Sequence, residues 1–349
     1  MLTSSTVADA VVIGSPFAVI EDDIAAVLNG VDGAITYVVN DPPWSQVRER
    51  LPAAARVVHA WDMELTALES LLGDSDEGTT VVGLGGGTAL DTAKFLAWRT
   101  GRELVQVPTI TSVDAGFTDA IGVRVNGKVR YIGRITPKVV VLDVSLIRTA
   151  PPRLNRAGIG DILSCLTGLW DWRAASDLGH GHRWRADLAA LGQGMLGELD
   201  AACADIAAVT ADGVRFLADA YRRIGAACTE AGHSRFEEGS EHFWAYCYES
   251  RTRVHQVHGE LIALGVVALA DVQGDRAEWA LQLVTRCGTR AHPADLGITK
   301  RQFTEALVGL RSYARAEGLD VGVADLREVT DEVAATAWAF VNKLPRVDP

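Results

Sequence analysis

Through the first 150 residues, short apolar runs rich in β-branched residues alternate with stretches of helical period. The runs Ala10–Ile13, Ala34–Val39, Arg56–His59, Thr79–Gly83, Leu104–Val107 and Lys138–Leu142 are predicted strands. Patterns such as Glu21–Leu28 and Trp44–Leu51 between them predict helices. Alternation at this spacing predicts a mostly parallel, doubly wound α/β sheet. The stretch Val123–Gly133 breaks the rhythm. It carries Asn126-Gly127 between alternating residues, which predicts a two-residue hairpin turn.

The pattern changes at Pro151-Pro152. Beyond it β-branched runs are rare, and Arg183–Ala208, Gly213–Glu230 and Thr330–Asn342 read as amphipathic helices. Two domains are expected, an α/β domain over 1–150 and an all-α domain over 151–349. The chain's 349 residues suit that division better than a single core.

Charge and cysteines narrow the setting. A formal net charge of −12 gives a long-range field that repels phosphate polymers, so neither nucleic acid nor an anionic membrane is an expected partner. A small phosphorylated ligand needs only local donors. The five cysteines (Cys165, Cys203, Cys228, Cys247 and Cys287) never form a CxxC pair and read as reduced thiols. No basic region followed by an apolar stretch opens the chain, and the longest apolar run, Leu261 to Ala270, is short of the roughly 20 residues a span requires. A cytoplasmic protein is expected, acting on a small molecule and assembling as a homo-oligomer.

Candidate chemistry begins where the run TVVGL meets Gly85-Gly86-Gly87, with a helix starting near Thr88. Glycines let the backbone approach a ligand, and a helix N-terminus offers free N–H groups to a pyrophosphate. Gly83, Gly85 and Thr88 fill a GxGxxG pattern imperfectly, and a ligand-free glycine turn fits the same residues. Asp91 and Lys94 stand one turn apart on that helix, where an ion pair also explains them. The loop Pro108–Asp114, with Thr109, Ser112 and Asp114, follows the next strand; open α/β sheets bind ligands at such ends. Asp41, after the second predicted strand, suits a ribose hydroxyl and disfavours a 2′-phosphate; it also suits the start of the Pro42-Pro43 loop.

The second half offers Asp161 in AGIGD, His242 in GSEHFW and His258 in HGEL. One carboxylate and two imidazoles match a zinc-like divalent ion with coordination positions left open. A helix cap at Asp161 and core histidines are the alternative.

Together these segments resemble one superfamily, the group III or iron-type alcohol dehydrogenases, which includes glycerol dehydrogenases, glycerol-1-phosphate dehydrogenases and 3-dehydroquinate synthases. The resemblance rests on Gly85-Gly-Gly-Thr-Ala-Leu-Asp-Thr-Ala-Lys94, on Pro108-Thr-Ile-Thr-Ser-Val-Asp114, on Ala157-Gly-Ile-Gly-Asp161, on Ser234-Arg-Phe-Glu-Glu-Gly-Ser-Glu-His242 and on His258-Gly-Glu260, in the family order. It is closest to the glycerol-1-phosphate dehydrogenases. It implies a Rossmann-like NAD(P)-binding domain followed by a helical metal and substrate domain. It also implies Asp161, His242 and His258 as metal ligands, and Asp114 at a substrate-contacting position. The implied reaction interconverts a small alcohol and a carbonyl, with a phosphorylated polyol such as glycerol 1-phosphate among the substrates, and NAD favoured over NADP.

Three positions depart from the family pattern. Cys165 stands where iron-dependent members carry a further His, which favours zinc over iron or nickel. Tyr246 replaces the later His of HxxxH and is the expected proton relay. Val113 replaces the His of SHDG. Arg235, and Arg124, Lys128 or Arg134 of the hairpin, could hold a phosphate. Two other readings stay open. One is a sugar-phosphate cyclase, against which Asp161 and Ser164 replace the usual Glu and Lys. The other is a non-catalytic member that binds cofactor or a partner.

Overall fold

The structure is a computed structural model that describes residues 17–73 and 80–347. It divides into two compact units, one of residues 1–151 with 218–231, the other of residues 152–217 with 232–349. Residues 218–231, the C-terminal part of helix Ala211–Ala231, therefore belong to the first unit although they lie beyond Pro151-Pro152 in sequence.

The first unit is built on six parallel strands: β1 (Ala18–Ile20), β2 (Ile35–Val39), β3 (Ala54–His59), β4 (Thr80–Gly85), β5 (Glu103–Pro108) and β8 (Val139–Val141). Their spatial order is β1-β8-β5-β4-β2-β3. The expected strand Ala10–Ile13 lies outside the described residues, whereas β1 was not anticipated, three residues being too few to show a period. From β2 the chain moves outward to β3; from β4 it moves the other way, through β5. The β2/β4 boundary is thus the switch point at whose carboxyl end open sheets take ligands.

Both faces of the sheet are covered. Ile35, Tyr37, Val39, Val82, Leu84, Val105 and Val107 pack with Ile24, Val27, Leu28, Trp44 and Val47. The intervening Val38, Val81 and Leu104 pack on the opposite side with Ala89, Ala93, Phe95 and Leu96. Period-two alternation between two apolar layers explains why β4 reads as a continuous buried run. The helix expected over Glu21–Leu28 begins at Ile24, because the Asp23 carboxylate caps it by accepting from the Ala25 and Ala26 N–H groups. Strands β6 (Ala120–Val125) and β7 (Lys128–Arg134) form the anticipated hairpin. Asn126 and Gly127, at φ 54° and 73°, supply the two positive values its turn requires.

The second unit is helical in its described residues. Helix His258–Gln273 is its buried spine; every residue from Gly259 to Ala270 is inside. Glycines set the close approaches to it. A Cβ on Gly160 would lie 2.5 Å from the Gly259 carbonyl oxygen, so helix Ile159–Leu163 meets the spine glycine to glycine. A Cβ on Gly239 would lie 2.8 Å from the Gly168 Cα, which seats the loop before helix Ser240–Thr252 on helix Cys165–Asp177. No helix among the described residues is long and apolar enough to cross a membrane.

Candidate active site

In the first unit the glycine turn runs from the end of β4 into helix Gly87–Thr100. Gly85 has φ +156°, and a Cβ there would lie 2.5 Å from Asn40 Oδ1 and 2.8 Å from the Ala89 Cβ. The helix has no side-chain cap, and its start at Gly86–Thr88 is half-buried. Asn40, at the end of β2, braces the turn. Its Oδ1 accepts from the Gly86 N–H at 3.2 Å, and its Nδ2 donates to the Ala60 carbonyl at 2.8 Å. One side chain therefore ties together the ends of β2, β3 and β4. Its neighbour Asp41 is exposed and accepts from the Ser45 hydroxyl at 2.5 Å and the Ser45 N–H at 3.2 Å, with His59 Nδ1 3.4 Å away. The Ser45 bond holds its carboxyl below the usual range.

Lys94 is buried and fully engaged. Its ammonium lies 2.8 Å from Asp91 Oδ1 and donates to the Ala120 carbonyl at 2.6 Å and the Thr118 carbonyl at 3.3 Å. The charge is spent on joining the glycine-turn helix to the base of the hairpin, the ion-pair alternative raised by the sequence. Past β5, the Thr109 N–H donates to the Gly85 carbonyl at 3.0 Å, bringing the second loop against the turn. Thr109 and Ser112 are buried, and the Thr109 hydroxyl has no hydrogen-bond partner. Asp114 opens a 3-10 turn and is half-buried.

In the second unit Asp161, His242 and His258 converge. Each offers one ligand atom, and these atoms lie within 4.8 Å of one another. The three come from three different helices, Asp161 from the first turn of Ile159–Leu163, His242 from that of Ser240–Thr252 and His258 from the first position of the spine. His258 Nε2 lies 3.3 Å from Asp161 Oδ1 and the two imidazole centroids are 5.3 Å apart. A single divalent ion of the N/O type fits this donor set.

The surroundings fix the three side chains. Glu241, completely buried, accepts from the Gly239 N–H at 2.6 Å and meets His242 Nδ1 at 2.9 Å, which leaves Nε2 for a metal. Burial opposes charge on His242, but the hydrogen bond and charge of Glu241, with Glu238 and Asp161, outweigh it and push the imidazole up to about 9. Glu260, two residues after His258, is held 3.4 Å from Arg153 Nε and 3.5 Å from Arg290 Nη1. Its burial raises its pKa, and the two arginines act against that. Tyr246 lies one turn after His242, with ring centroids 6.0 Å apart, and its hydroxyl donates to Glu238 Oε1 at 2.8 Å. Ser234 donates to the other oxygen of Glu238 at 2.5 Å.

Comparison with known proteins gives this arrangement a lineage. Residues 37–151 match the sequence profile described as iron-containing alcohol dehydrogenase. A glycerol-1-phosphate dehydrogenase, NAD(P)+, of Aeropyrum pernix is 31% identical over 257 residues, 72% of this chain and 70% of that protein. The chain belongs to the iron-containing alcohol dehydrogenase family. An enzyme of the same name from Sulfurisphaera tokodaii is 32% identical over 229 residues, so the match spans 65% of each chain, just under two thirds of the relative. A crystal structure of a probable glycerol dehydrogenase from Sinorhizobium meliloti superposes with a TM-score of 0.75 over 96% of this chain and 99% of that one, at 19% identity, a likeness of fold.

Within that family frame, several residues stand out that the sequence reading gave no role. Asn40, Glu238, Glu241 and the Arg153–Glu260–Arg290 clamp support the turn or the converging triad from behind. Glu241 and Glu260 sit inside the quoted motifs, and adjacency to a ligand was their only signal. Arg235, considered as a phosphate holder, is buried and donates to the Glu238 and Val321 carbonyls at 3.0 and 2.9 Å. Its guanidinium serves the loop that leads into the helix of His242. Of the hairpin cations, Arg134 pairs with Asp119 at 3.0 Å.

Proposed function

We propose that this chain is a metal-dependent NAD(P)(H) oxidoreductase that interconverts a small alcohol and a carbonyl, with a phosphorylated polyol of the glycerol 1-phosphate and dihydroxyacetone phosphate kind as the leading substrate. The observation that carries this reading is the convergence of Asp161, His242 and His258 on one point. The proposed ligands are those three side chains, and zinc is preferred because Cys165 stands where an added histidine would suit iron. A divalent ion held there supplies Lewis acidity toward a substrate oxygen.

The chain's own residues do the rest. Glu241 keeps His242 Nδ1 occupied so that the ring presents a fixed nitrogen. Gly85, Gly86, Gly87 and Thr88 present the uncapped helix start to a pyrophosphate, and Asn40 holds their shape. Asp91 and Lys94 brace that helix, while Thr109 and Ser112 border the turn from the next loop. Asp41 is assigned to the ribose; kept ionised by Ser45, it favours NAD over NADP. Asp114 is assigned to the substrate. Tyr246 is assigned to proton movement, with Glu238 accepting its hydroxyl. A cytoplasmic setting and a homo-oligomeric assembly complete the proposal.

The test is a panel of carbonyl substrates with NADH or NADPH, including dihydroxyacetone phosphate, dihydroxyacetone and small aldehydes, with and without added zinc. Metal-dependent oxidation of NADH by one of them is the expected result. A steady change in nicotinamide absorbance also separates a dehydrogenase from a cyclase, which returns its cofactor unchanged. No oxidation with any substrate would overturn the proposal.

A further inference from the structure

Cys203 and Cys287 are 84 positions apart in sequence, yet their sulfurs lie 2.6 Å apart inside the second unit. Both are free thiols, and their separation is close to that of a disulfide bond, about 2.05 Å. Cys203 projects from helix Ala186–Ala208 and Cys287 directly follows helix Ala277–Arg286. Both are buried, at 3% and 0% exposure.

We infer that Cys203 and Cys287 form a reversible redox pair that closes to a disulfide when the protein meets a peroxide. Depth selects the oxidant, since a small neutral peroxide suits sulfurs that a bulky disulfide reagent does not reach. Either sulfur can attack first; with Cys203 as the nucleophile, its partner Cys287 resolves the intermediate. The Cys203 sulfur attacks one peroxide oxygen, the O–O bond breaks, and a sulfenic acid and water form. The Cys287 sulfur then attacks the sulfenic sulfur. The S–S bond forms, and the hydroxyl leaves as water with the Cys287 proton. Two thiols lose two protons and two electrons, and the peroxide becomes two waters. The bond would pin the chain three residues before Arg290, which holds Glu260, two residues after the proposed ligand His258.

The experiment treats the full-length protein with hydrogen peroxide, then denatures it in an alkylating reagent and maps its peptides by mass. The expected product is lighter by two hydrogens, takes up three alkyl groups instead of five, and yields a peptide linking Cys203 to Cys287 that dithiothreitol separates. Cys203→Ser should leave Cys287 open to alkylation after the same treatment. Five alkylated cysteines, a sulfinic acid at either position without the linked peptide, or a link through Cys165, Cys228 or Cys247 would each overturn the inference.

Discussion

The proposed metal ligands are held by side chains outside the triad. Glu241 is the clearest case, since its carboxylate takes one nitrogen of His242 and so aims the other. Glu241→Gln keeps the shape and removes the charge. It should weaken zinc binding by roughly 10- to 100-fold, read by competition with a chelating dye at fixed pH; unchanged affinity would mean that ring packing alone orients His242. Tyr246 raises a different question. Its proton points at Glu238, so removing the hydroxyl in Tyr246→Phe should lower turnover and change the pH profile. Turnover and profile both unchanged would remove Tyr246 from the reaction. On the cofactor side, Asn40→Ala leaves the Gly86 N–H and the Ala60 carbonyl without their side-chain partner. A loss of about 1–3 kcal/mol in denaturant unfolding, with weaker NADH binding by fluorescence, is expected.

Elements meet at this site through missing side chains as much as through present ones. Gly160 and Gly259 sit in the two ligand motifs because the helix of Asp161 and the helix of His258 approach backbone to backbone there. Gly160→Ala places a methyl where a carbonyl oxygen stands and should cost about 1–3 kcal/mol of stability, together with most of the bound metal. Full metal content in a stable Gly160→Ala protein, measured by elemental analysis, would contradict that account of the motif. The same contact shows what the sequence could reveal. Short β-branched apolar runs located β2 to β5 and β8, and Asn126-Gly127 located the hairpin. The residues that converge, Asp161, His242 and His258, were legible because each lies in a short motif. Glu241 and Glu260 looked like ordinary charged helix residues, since burial is a tertiary property. Asn40 was passed over for the charged Asp41 beside it, although the amide is what reaches the glycine turn. Lys94 read equally as a ligand or an ion pair, because nothing local shows that its ammonium ends on carbonyls of the hairpin base.

At the scale of the whole molecule, acid stability is set partly by one half-buried imidazole. His233 is pushed down to about 4, first by burial and then by the charge of His182, whose ring stacks on it at 4.1 Å. Its ordinary value is 6.5. The stability tied to the neutral ring is therefore complete above pH 6.5 and is lost as pH falls toward 4, because the unfolded chain takes the proton first. The melting temperature of His233→Gln should fall less steeply than that of the parent protein between those values; parallel curves would contradict the assignment. The account as a whole stands on a catalytic metal held by Asp161, His242 and His258 serving a nicotinamide reaction. The most direct measurement is NADH oxidation with dihydroxyacetone phosphate and related carbonyls, using protein stripped by a chelator and then resupplied with zinc. The account predicts no rate in the stripped protein, restoration by about one equivalent of zinc, and no restoration in Asp161→Asn. A rate indifferent to stripping, or equal in Asp161→Asn, would contradict it.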